Sequence, residues 1–255
     1  MDLSQLAALA AFAFLGALVQ ASTGFGLSAV AAPFFLLILG SGAAIQILAL
    51  ANFALAISLA PRLRGTAPRG LLANLLVGSL AGAPLGLAIF LTLETSMLKV
   101  AIGLIVVVFA LILLARELGL FAQPDAVTET GAQSRRAAEL TVGLLAGTLG
   151  VAFAFFAPPI IFYLLLVRAG KEATRATMLV YFAVTYGMAT LVHALWGGMT
   201  GQSWGLALLL LPAVLLGAFA GHRLAARLND RRVRLLILMT LTGSGGYAIW
   251  STLAA

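Results

Sequence analysis

The sequence predicts an all-α polytopic membrane protein made of two inverted repeats, each a broken or re-entrant helix pair plus three spanning helices. Three observations lead there. Of 255 residues, 62% are hydrophobic and only 9% are charged, against about 25% charged in an ordinary soluble domain. The apolar residues fall in long runs, and about 20 such residues cross the roughly 30 Å of a bilayer core. The basic residues gather in a few loops, as membrane topology requires.

Taken in order, residues 3–39 are apolar but interrupted by Ser22-Thr23-Gly24-Phe25-Gly26. The two pieces look too short for two comfortable crossings, so a pair of half-helices or one strongly broken helix is expected. Apolar runs at 42–60, 70–91 and 97–115 each read as one span. Residues 116–138, with Gln123-Pro124-Asp125 and Arg135-Arg136, form the long polar segment and read as the linker between repeats 1–115 and 139–255. The second repeat opens on another interrupted stretch, 139–168, broken by Gly147-Thr148-Leu149-Gly150 and by Pro158-Pro159. Spans at 177–195, 204–222 and 235–254 follow. Met1–Gln20 lacks the basic start of a secretory signal and carries only Asp2 as a charge; it is expected to stay as part of the first stretch.

The repeat is visible as a shared order of elements. Shifting the chain by 126 residues places Gly24 on Gly150 and Pro33 on Pro159; shifting by 135 places Gly82…Gly86 on Gly217…Gly221. Charge then says how the halves are related. The 61–69 loop holds Arg62, Arg64 and Arg69, whereas its counterpart at 196–203 holds no basic residue; the 92–96 turn has only Glu94, whereas its counterpart around 227–234 is basic. Equivalent loops alternate sides, which makes the repeats inverted, an architecture typical of secondary transporters. With each interrupted stretch returning to its starting side, 14 of the 15 basic residues share one face and only Lys99 lies opposite. The basic loops are therefore expected on the cytoplasmic side of the cell membrane, with both termini outside.

Several functions are excluded by composition. A water-soluble enzyme would need far more polar surface than 23 charged side chains supply. The chain has no cysteine, hence no thiolate metal site and no catalytic thiol, and only two histidines, His193 and His222. No cofactor, metal or enzymatic activity is expected, and no nucleotide-binding loop is present. The +7 net charge reads as membrane topology and contact with anionic lipid rather than nucleic-acid binding. The eight acidic residues all fall in or next to predicted loops, so a proton relay on a mid-span carboxylate is not expected. Lipid-facing and partner-facing apolar surfaces have the same composition, so no oligomeric state is assigned.

The glycine-rich break followed by an apolar run and a proline occurs once per half, as Gly24-Phe25-Gly26 through Pro33 and Gly147-Thr148-Leu149-Gly150 through Pro158-Pro159. Gly82…Gly86 and Gly217…Gly221 each lead toward a turn, the second with Asn229-Asp230-Arg231-Arg232. In these features the chain resembles the sulfite exporter TauE/SafE family, over nearly its whole length. The second half carries Ala152-Phe153-Ala154 where that family usually has a glycine cluster. The resemblance implies export of a small sulfur-containing anion, such as sulfite or an organosulfonate.

Residue chemistry supplies a way to hold such an anion without a buried cation. Helix N-termini present unpaired N–H groups and about half a positive charge. The predicted substrate site is two mid-membrane breaks facing each other, with Ser22, Thr23, Gly24 and Gly26 from one half and Gly147, Thr148 and Gly150 from the other. Gln20, Asn52 and Tyr181 are secondary candidates, and Tyr163 and Tyr186 could likewise donate hydroxyls to an anion; buried amides also serve helix packing, and tyrosines near span ends more often serve as interfacial anchors. Of the basic residues, Lys99 and Arg175 lie nearest to spans. A channel-like facilitator of the same anions and a scaffold with no solute remain alternative readings.

Overall fold

The computed structural model describes residues 1–59, 67–117 and 132–225. Among these residues the chain forms nine helices and no strand. They are α1 (Leu3–Thr23), α2 (Leu27–Leu39), α3 (Ala43–Leu59), α4 (Arg69–Thr92), α5 (Thr95–Glu117), α6 (Ala132–Phe153), α7 (Ala157–Leu166), α8 (Lys171–Leu195) and α9 (Gly201–Ala225). α5 and α6 enter both ends of the stretch expected as linker. The span expected at 235–254 lies outside the described residues.

Among the described residues six helices are long and apolar enough to cross a membrane, but they are not the six that run length alone picked out. α1 and α6, read from sequence as parts of interrupted pairs, have 21- and 22-residue helices and qualify. α3, read as a full span, is a 17-residue helix. α2 and α7, with 13 and 10 residues, are the short partners in each pair. The reason is local. α1 starts at Asp2, whose N–H donates to Gln5 Oε1 at 3.1 Å, and nothing breaks its ladder before Thr23. In α6 the run of glycines is tolerated within the helix, because those positions are needed for packing.

Two helix pairs organise the bundle. Backbones of α4 and α6 touch directly: a Cβ on Gly78, Gly82 or Gly86 would strike the carbonyl oxygens of Leu140, Leu144 and Thr148 in turn. α1 and α9 do the same, Gly217 and Gly221 lying on the carbonyls of Phe14 and Leu18. Small residues at one-turn spacing let membrane helices approach this closely. Hydroxyls tie both seams, and Ser79 Oγ adds a second tie between α4 and α6 by donating to Gly143 O at 3.0 Å. Ser22 Oγ lies 2.9 Å from the Gly221 carbonyl, and Thr148 Oγ1 lies 3.2 Å from that of Gly82. Ser22 and Thr148 are 126 residues apart, and Gly82 and Gly221 are 139 apart. The contacts therefore match one helical turn away from the 135-residue shift read off the Gly-x-x-x-Gly motifs.

Direction follows from the ends. Gly24, after α1, packs on Arg175 at the start of α8, while Phe90 near the end of α4 meets the His193 ring edge-to-face near the end of α8, centroids 4.6 Å apart. The parallel α1–α9 pair thus runs opposite to the parallel α4–α6 pair. α3 and α8 cross between them; both carry many buried residues, including Ile45, Leu48, Tyr181 and Phe182. Large apolar side chains such as Leu80, Leu104, Leu111, Leu208 and Leu216 are more than half exposed, the surface a lipid solvent accepts and water does not.

Candidate functional site

The first break is built by glycine. α1 ends because Gly24 adopts φ +97° and caps Gln20 O through its N–H at 2.7 Å. Gly26, at φ +135°, then starts α2. Neither conformation suits a residue with a Cβ. The first amides of a helix generally have no carbonyl one turn back to receive them. Leu27 N–H is taken by Gln20 Oε1 at 2.9 Å. Gln20 is buried, and its Nε2 has no partner.

The second break lies four residues beyond Gly150. α6 runs unbroken through Gly147, Thr148 and Gly150 to Phe153, which corrects the break expected at those glycines. The chain turns instead at Ala154, at φ +59°, whose N–H caps Gly150 O at 2.8 Å. α7 then starts at Ala157 with Pro158 and Pro159, residues favoured in a first helical turn because their missing N–H groups have no partner to lose. Two prolines also mean that this helix start offers fewer backbone donors than that of α2.

The two breaks face each other across a cavity of about 10 Å³, walled by Gln20, Gly26 and Ser28 on one side and Ala154, Phe155 and Pro158 on the other. Phe25, Phe109, Phe182 and Tyr186 also line it, with the small side chains of Ala29 and Ala157. That volume is about one water, so the space is closed around its contents. A polar chain crosses here. Asn52 Nδ2 donates to Ser28 Oγ at 2.9 Å, Ser28 Oγ lies 3.4 Å from Tyr186 OH, and Tyr186 OH donates to Ala154 O at 2.9 Å. It links α3, α2 and α8 to the second break. Asn52 also donates to Leu48 O, and its Oδ1 is buried without a partner.

The residues predicted from sequence divide accordingly. Gln20 and Gly26 line the cavity, Gly24 shapes the turn beside it, and Asn52 reaches it through Ser28. Thr23 Oγ1 sits 2.9 Å from Val19 O and 2.7 Å from Phe25 O, one proton serving the two, and holds the turn. Ser22 and Thr148 face the helix seams. Gly147 packs on the Ser79 backbone, and Gly150 lies under the Phe156 ring. Tyr181 is buried with its hydroxyl 2.6 Å from Ser79 Oγ, pointing toward α4.

Ser28 and Ala154 were not selected as site residues by sequence, and Tyr186 was read only as one of three tyrosines able to donate a hydroxyl. Pro158-Pro159 marked the new helix start, and the break lies just before it, at the turn on Ala154. Glu139 is a further correction. It is buried inside α6 rather than sitting beside a loop, and its carboxylate accepts from Asn74 Nδ2 at 2.6 Å, Tyr163 OH at 3.1 Å and Arg135 Nε at 3.1 Å. Tyr163 is thereby a buried partner of a carboxylate rather than an interfacial anchor. At the opposite end of the bundle a cavity of about 930 Å³ opens between α1, α3 and α9, bounded among the described residues by Gln5, Gln46, Phe90, Gly197, Thr200 and Ser203. His193 lies just beneath, fully buried, its Nε2 3.0 Å from Val151 O.

Among the described residues, an all-helical bundle with six membrane-length apolar helices and two broken helix pairs, with a small cavity lined from both breaks, has the architecture of a multi-pass membrane protein. The sulfite exporter TauE/SafE family profile matches residues 9–248, and the chain belongs to that family. No curated protein and no solved structure matches it.

Proposed function

We propose that the protein is a secondary transporter exporting a small sulfur-containing anion, such as sulfite or an organosulfonate, by alternating access. The observation that carries this reading is the cavity walled by both breaks, with the unpartnered Gln20 Nε2 at its edge. Gln20 and the first turn of α2 supply N–H groups and a positive helix end to an oxyanion. Ser28 and Tyr186 supply hydroxyls, and Gly24 and Gly26 allow the backbone to come close. The second break contributes shape more than donors.

The two repeats are inverted in this account. The antiparallel arrangement of the α1–α9 and α4–α6 pairs, and the equivalent Ser22–Gly221 and Thr148–Gly82 ties, support it. Alternation is supported by the contrast between the two ends. A wide cavity opens between α1, α3 and α9 at one end, while the Glu139 network draws α4, α6 and α7 together at the other. The basic loops face the cytoplasm of the cell in which the protein sits.

The test is a thermal-shift panel of sulfite, sulfate, thiosulfate, taurine, sulfoacetate, oxalate and phosphate on the purified protein. A ligand at 100 times its dissociation constant stabilises the folded state by about 2.7 kcal/mol. Sulfite or a sulfonate is expected to raise the melting temperature selectively. Equal silence from every anion at millimolar concentration contradicts the proposal.

A further inference from the structure

We propose that Arg175 is the charge-selecting residue of the break site, the cation that an anion meets where the first break opens toward the start of α8. This rests on the anion reading above. Arg175 lies in the first turns of α8, within a helix of membrane-spanning length. Its side chain packs across the turn at Gly24, where a Cβ would sit 3.4 Å from Arg175 Cγ. Its Nη2 donates to Ala21 O at 2.8 Å, one of the last carbonyls of α1. Its Nε is buried and has no partner.

Capping α1 accounts for one N–H of this side chain. It does not account for a buried second donor beside the turn at Gly24. Among the described residues Arg175 forms no ion pair, whereas Arg135 pairs with Glu139 at 3.1 Å. Arg223 is exposed and lies over the Phe219 ring. Cations in membrane segments are normally paired or line a substrate path. Here the substrate supplies the missing counter-charge.

The position also matters electrostatically. At the break, the negative C-terminal end of α1 and the positive N-terminal end of α2 lie side by side, and their fields would partly cancel. Arg175 sits on the α1 carbonyl end and offsets it. The field left at the cavity is that of the α2 N-terminus, which favours an anion. A neutral residue at position 175 removes the cation and uncovers the carbonyl end in one step.

The experiment measures sulfite affinity and ligand-free melting temperature for the wild type, Arg175→Gln and Arg175→Lys. Arg175→Gln is expected to weaken binding about tenfold or more, with Arg175→Lys within about threefold of wild type because the charge is kept. Affinity in Arg175→Gln within about twofold of wild type overturns the proposal while leaving the anion site standing. Losses that track the melting temperature equally in both variants also overturn it, since they report the α1 cap alone. If Arg175→Gln does not fold, Arg175→Lys decides: retained affinity supports the role of charge, and a tenfold loss refutes it. A wild type that binds no sulfur anion removes the anion reading itself, and this inference with it.

Discussion

Gln20→Glu is expected to weaken anion binding roughly a hundredfold while leaving the fold in place. The substitution keeps side-chain length and keeps an oxygen to accept Leu27 N–H, which Gln20 Oε1 accepts at 2.9 Å. What changes is the atom with no partner. The buried Nε2, a donor, becomes a carboxylate oxygen carrying negative charge toward the cavity. A hydrogen bond to a charged group contributes about 1.5–3 kcal/mol, and charge repulsion adds to its loss. Titration of the purified variant with the anion that shifts the wild type measures the effect. Wild-type affinity in Gln20→Glu would place the substrate somewhere other than between the breaks.

The second large effect concerns the seams. Gly82→Val and Gly217→Val should each lower the melting temperature sharply and reduce the yield of folded protein. Any Cβ at Gly82 meets the Leu144 carbonyl, and any Cβ at Gly217 meets that of Phe14. Both obstacles are backbone, so no rotamer change relieves them; two helices must separate. Overpacking of this kind costs about 1–3 kcal/mol and sometimes more. Gly205→Ala is the control. It lies in α9 with nothing within 4 Å of the added Cβ, and alanine is the better helix former by about 1 kcal/mol. If Gly205→Ala is neutral or stabilising while both valine variants melt early, the seams hold the bundle as described. Equal melting in all three would show that the seams are loose.

Much of the fold was legible because a bilayer constrains composition so strongly. Helix content and the broken pair at the start followed from run length and glycine placement. Gly24 and Gly26 read correctly as a break because two glycines in three residues can hold positive φ consecutively. Gly147 and Gly150 have the same composition and the opposite use. They let α6 lie against Ser79 and under Phe156 while the helix continues, and only the neighbouring surface tells the two uses apart. The actual turn falls on Ala154, a residue with no propensity for positive φ, held there by the capping of Gly150 O and by the bond from Tyr186. Such tertiary support leaves no local trace.

Glu139 was misplaced for a related reason. Position near a polar stretch suggested a loop, but its partners Asn74 and Tyr163 arrive from helices 65 and 24 residues away in sequence. The link from Tyr186 to Ser28 was equally hidden, since the two lie 158 residues apart in sequence. Polar side chains in apolar helices signal that a partner exists without saying which one.

The most direct measurement is counterflow in proteoliposomes. Vesicles holding the purified protein are loaded with excess unlabelled sulfite and diluted into trace labelled sulfite. A carrier that exposes one closed site to each side in turn accumulates label transiently above equilibrium, and Gln20→Glu vesicles remain flat. Label that only equilibrates, without overshoot, in wild-type vesicles would contradict alternating access at the paired breaks.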